Sequence, residues 1–206
     1  MPAQVLERTV TLLLEGTCKL LWGFPPRLMK PTVAQLGASS ALRWFVGNMP
    51  RYERTLAAYG ETRTHLLCLA ISLVNGCHYC TYGHGYALQL AYLREHGRLF
   101  PLGELELQRL CGLPPAAIRY DLVGATQRAA LHGDTRHLER VLTLTLAEDP
   151  RATDEDDLRL IHLVRMFDTL NSVGIRHKIP PDQAHSALNK DYALKRRYDA
   201  LRGVSG

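Results

Sequence analysis

The sequence predicts an all-α fold. Apolar residues recur at three- and four-residue spacing through most of the chain, as they do on one face of a helix. No segment alternates polar and apolar residues convincingly enough to read as a half-buried strand. Glycine and proline clusters fall between the periodic stretches, where helices end.

The first helix is expected over residues 3–22, where Leu6, Val10, Leu13, Leu14, Cys18 and Leu21 lie at helical spacing. Gly23 and Pro25-Pro26 end it. A second candidate runs from Pro31 to Val46, and Asn48-Met49-Pro50 breaks the chain before a short segment to Tyr59-Gly60. Thr64 to Asn75 is apolar on nearly every side beyond its first turn and belongs in the core. Asn75-Gly76 stops it, and Cys77 begins an element that ends near His96-Gly97. Phe100 to Gly103 divides the chain, Glu104 to Cys111 reads as helical, and Pro114-Pro115 precedes a helix from Ala116 to His132. Asp134 is expected to cap a helix to about Glu148. After the Asp149-Pro150 turn, Thr153 to Asp156 opens a helix with acid in its first turn, closed by Val173-Gly174. Pro180-Pro181 then precedes a final helix from Asp182 to Arg202.

A chain of 206 residues fits one domain, or two small halves sharing a core. With 46% hydrophobic and 22% charged residues it has the composition of an ordered globular protein. The net charge of +5 is modest and spread along the chain, with much of it between Lys190 and Arg202. Its densest run, Lys195-Arg196-Arg197, reads as a solvated face of the last helix rather than a nucleic-acid surface. The apolar run from Val10 to Trp22 contains Glu15 and Lys19 and is too short to span a bilayer. The beginning of the chain has no signal-peptide pattern, and the five cysteines are an odd number unlike a secreted disulfide framework. A cytoplasmic location is expected.

The densest chemistry lies in Asn75-Gly76-Cys77-His78-Tyr79-Cys80-Thr81-Tyr82-Gly83-His84. At the start of a helix, Cys77 and Cys80 share a face and His84 follows one turn later. A helix N-terminus favours thiolate over thiol, and a nearby imidazole can carry the proton. Such a cluster suits reversible oxidation, one sulfur being attacked and the other resolving it as a disulfide. Gly83 and Gly85 remove bulk here, which fits either an opening for a small oxidant or a close helix–helix contact. Zinc is a rival, with Cys77, Cys80, His84 and either His78 or His65 as ligands, but no second ligand pair follows. Haem attachment is excluded because Thr81, not histidine, follows Cys80. His78 reads as an exposed or oligomer-facing residue, His162 as a core or interface histidine, and Cys68 as packing.

A core helix ending in Asn75-Gly76-Cys77, continued by Tyr79-Cys80 and, three residues on, His84, resembles the alkyl hydroperoxidase D-like superfamily, which includes carboxymuconolactone decarboxylase. The resemblance covers roughly residues 61–97, and the helix from Thr153, with Phe167 and Asn171, looks like a second half of the peroxidase-related members. It implies one compact multi-helix domain over 1–206, with N-terminal helices at 1–60, a redox core at 61–97 and C-terminal helices at 98–206. It also implies a thiol peroxidase without metal or organic cofactor, in which Cys80 attacks a small hydroperoxide, Cys77 resolves, and a dithiol or protein donor restores the pair. Family members commonly pack as homo-oligomers. The family pattern places Glu twelve residues before the first cysteine; here that position is His65, which can itself act as a base with His84. Two alternatives stand beside this reading: an idle helical scaffold that lost the relay, and a decarboxylase-like enzyme acting on a small organic acid.

Overall fold

The computed structural model describes residues 3–204, and these contain α-helices and short 3-10 turns with no strand. The helices are α1 (Ala3–Trp22), α2 (Met29–Leu36), α3 (Ala38–Tyr59), α4 (Glu61–Asn75), α5 (His78–His96), α6 (Glu104–Leu110), α7 (Pro115–Arg128), α8 (Thr135–Leu146), α9 (Glu155–Arg176) and α10 (Tyr192–Val204). Among the described residues no helix is long and apolar enough to cross a membrane.

The core is built around α4. Every residue from Thr64 to Leu73 is buried, and Leu66, Leu67, Leu69, Ile71 and Leu73 have no exposed surface. Each such side chain contributes about 1.5–3 kcal/mol on burial, so α4 holds the bundle together. Its most extensive partner is α5, and α8, α9, α3 and α7 close the remaining sides. Gly76, in the left-handed conformation at φ 77°, ends α4 by returning its N–H to Leu73 and Ser72, and Cys77 N–H also reaches Ser72. Cys77 thereby becomes the N-cap of α5.

Several expected boundaries shift. Gly37, at φ 79°, divides the helix expected over Pro31–Val46 into α2 and the start of α3. The break expected at Asn48-Met49-Pro50 does not occur: α3 continues through Pro50 because Ala41, Phe45, Met49 and Tyr52 form one buried stripe across it. Packing of that stripe outweighs the hydrogen bond lost at the proline. On α1 the buried stripe is Val10, Leu14 and Cys18, whereas Leu6, Leu13 and Leu21 face outward. Asp134 precedes α8 without capping it, its carboxylate being held by Arg63. Gly174 does not stop α9, which runs on to Arg176. The final helix begins at Tyr192 rather than Asp182; Asp191 caps it by accepting from Leu194 N–H at 2.9 Å. Residues 177–186 instead form a loop that returns to α5.

Candidate functional site

The turn between α4 and α5 brings two thiols together. Cys77 Sγ lies 2.8 Å from Cys80 Sγ and accepts from Cys80 N–H at 3.3 Å. Hydrogen bonding from the Cys80 side chain, aided by the Cys80 and Tyr79 backbone N–H groups, holds the Cys77 thiol below its ordinary value despite burial. Burial pushes Cys80 well above the ordinary value, and its contact with Cys77 adds to the rise. Cys77 is therefore the more acidic of the two sulfurs, whereas the resemblance implies Cys80 as the attacking one. Both residues are only 1% exposed. Gly174 of α9 lies against them: a β-carbon there would stand 2.7 Å from Cys77 Sγ.

His84 does not hydrogen-bond to either sulfur. Its Nδ1 lies 3.3 Å from Nδ1 of His65, which α4 presents from the opposite side. Burial is the largest cause of a lowered pKa in both; His65 falls to about 3 and His84 well below its usual value. Both rings are thus neutral near pH 7. A neutral pair joined through Nδ1 holds one proton on that axis. One outer Nε2 is then a donor and the other an acceptor, and their roles exchange when the acceptor Nε2 takes up a proton, the shared proton crosses, and the donor Nε2 releases its own. Neither outer nitrogen has a protein partner.

The loop after α9 adds residues that carry no sequence motif. His185 donates its backbone N–H to Gly83 O at 3.0 Å and sets its ring 4.9 Å from Tyr79 and 5.0 Å from His84. Asp182 Oδ2 accepts from Tyr79 OH and from Arg27 N–H, both at 3.0 Å, while His185 Nε2 stands 3.8 Å from Oδ1. Burial raises the Asp182 carboxyl, but the neighbouring His185, with the Arg27 and Gln183 backbone N–H groups, leaves it below its usual range. A buried carboxylate thus stands beside the imidazoles although α4 carries His65 where the resemblance expects Glu. The paired glycines were the local signal: Gly83 makes room for His185, and Gly85 for Leu107 of α6.

A narrow, largely apolar cavity of about 40 Å³ opens beside this cluster. Leu28, Met29, Tyr52, Phe167, His84 and His185 are among its walls. Leu28 both lines the cavity and reaches Gly174, against which Cys77 Sγ is packed.

The structure thus joins Cys77 to Cys80 and His65 to His84. His78 is exposed and engages Gln108, with Nδ1 2.8 Å from Oε1. Cys68 is fully buried with its thiol pushed well above the ordinary value, and Cys18 is raised to about 12. Cys111 is half-buried and receives the Thr81 hydroxyl at 3.4 Å. Among the described residues, no three His, Cys, Asp or Glu side chains are grouped to hold a metal ion. No protein-family model, curated protein or solved structure matches the chain.

Proposed function

We propose that this chain is a thiol-dependent peroxidase or disulfide oxidoreductase of the alkyl hydroperoxidase D-like kind, working through Cys77 and Cys80. The observation that carries the reading is the hydrogen-bonded sulfur pair, with Cys77 favoured as thiolate. The Cys77 thiolate attacks the distal oxygen of a hydroperoxide; the O–O bond breaks, and an alkoxide leaves and is protonated to the alcohol. The sulfenic acid on Cys77 is then attacked by the Cys80 sulfur, forming the disulfide and releasing water. Two electrons have passed from the thiols to the peroxide, and an external dithiol donor returns them.

The neutral His65–His84 pair is suited to moving protons, since it presents one donor and one acceptor nitrogen. Asp182 and His185 supply a carboxylate and a third imidazole beside it. The apolar cavity fits a small organic peroxide better than a charged acid, because no cationic side chain lines it.

The scaffold alternative draws support from the burial of both sulfurs. One experiment separates the readings: mass analysis of the reduced protein before and after one equivalent of an organic hydroperoxide. Loss of two hydrogens mapped to Cys77–Cys80, reversed by a dithiol, supports the redox reading. Thiols that stay reduced overturn it.

A further inference from the structure

α3 and α9 enclose a solvent-open pocket of about 240 Å³. Arg51 and Arg54 of α3 and Arg159 of α9 line it, with Leu158 as an apolar wall. Arg159 is engaged along its own helix by Glu155 and by Asp156, the latter at 3.5 Å. Arg51 and Arg54 have no acidic partner within ion-pair distance among the described residues, so their charges are uncompensated. Glu155 is the one acidic side chain in the wall.

His162 is the second feature. It is 5% exposed, lines the same pocket, and lies within the field of Arg51. Asn48 donates its side-chain amide to Trp44 O at 2.7 Å, which leaves Asn48 Oδ1 as the acceptor for His162 Nε2 at 3.1 Å. Nε2 therefore carries the proton, and Nδ1 is a bare acceptor with no partner, although it is buried. A buried acceptor left unmade is costly, and this ring shares its pocket with Arg51 and Arg54 and feels the charge of Arg51.

We propose that this pocket binds the phosphate group of a small phosphorylated molecule. Guanidinium groups match phosphate oxygens in charge and fork geometry. Hydrogen phosphate and the monoanion of a phosphate monoester have, in addition, an O–H that donates to His162 Nδ1. Sulfate and the monoester dianion, the main form above about pH 6, cannot make that bond, so the site favours the protonated form. The pocket is larger than one phosphate group, and Leu158 offers contact to the organic part. The site uses none of the redox residues.

The test is a titration of the full chain with inorganic phosphate and, separately, sulfate at fixed ionic strength near neutral pH, read from the His162 ring resonances. Phosphate should bind saturably and more tightly than sulfate, and Arg51→Ala or Arg54→Ala should weaken it about tenfold or more. Both arginines are exposed, so the variants should keep the wild-type circular dichroism spectrum. Shifts that never saturate, equal affinity for the two anions, or unchanged binding in the double variant would each overturn the proposal.

Discussion

The ring of His185 occupies the space that a side chain on Gly83 would need. A β-carbon at Gly83 would lie 2.4 Å from His185 Cε1 and Nε2, so the imidazole rests directly on α5. Gly83→Ala must displace the ring, and with it the His84 contact. Overpacking of this sort costs about 1–3 kcal/mol. Urea unfolding should register that loss, while Gly16→Ala, where nothing lies within 4 Å, should stabilise α1 by about 0.4–1 kcal/mol. Equal effects at the two positions would show that His185 does not depend on Gly83.

The two sulfurs differ in electrostatics, and the difference is measurable. Cys77, held low by Cys80 and the α5 backbone, should be alkylated by iodoacetamide ahead of Cys80, with a pH midpoint below that of an ordinary thiol. Cys80→Ala removes the largest cause of the shift and should move the midpoint up. Under one equivalent of hydroperoxide, Cys80→Ser should accumulate a dimedone-reactive sulfenic acid on Cys77. In Cys77→Ser, Cys80 should react about tenfold more slowly or less. The reverse pattern would return the attacking role to Cys80.

How far this site could be read from sequence depends on how local its causes are. The Asn75-Gly76 stop, the all-round apolar α4 and the Cys77/Cys80 spacing are local, and each corresponds to an element of the structure. Pro50 and Gly174 do not carry their usual meaning, because packing overrides it: one lies within a buried stripe, the other under a sulfur. Asp182 and His185 had no readable signal of their own. Tyr79, the partner of Asp182, is 103 positions away, and a proline-flanked loop offers no periodicity to connect them. Only the small residues at 83 and 85 indicated that something approaches α5, and sequence alone left open what it is.

Acid should weaken the fold above the range where carboxylates titrate. His65 and His84 have folded-state pKa values below the unfolded value of about 6.5. Their contribution is fully present above that value and is lost as pH falls toward the folded values, because the unfolded chain takes up protons the folded chain refuses. Each fully buried histidine removes about 1.4 kcal/mol per pH unit over this window. His162, lowered to about 4 by burial and Arg51, adds to the slope. Urea unfolding at about pH 7 and about pH 5 should show the loss, and His65→Gln should flatten it. A flat profile in the wild-type chain would mean that the imidazoles are not held neutral.

On the peroxidase reading, Leu28 should govern the access of peroxide to the sulfurs. It is 4% exposed, lines the apolar cavity beside His84, and meets α9 where Gly174 covers Cys77. On that reading, truncation to Ala should open the cavity toward the sulfur pair, at a stability cost of about 2–5 kcal/mol. Leu28→Ala should therefore be less stable yet oxidise faster, and the gain should grow with the bulk of the alkyl hydroperoxide. Hydrogen peroxide, small enough to depend least on the opening, serves as the reference oxidant. Stopped-flow rates of disulfide formation give the comparison, with Val33→Ala as a control for general loosening, since Val33 is 1% exposed but does not line the cavity. If both variants speed all peroxides alike, loosening of the bundle rather than Leu28 governs access. If Leu28→Ala alone shifts the preference toward bulky peroxides, the oxidant reaches Cys77 from the His84 side.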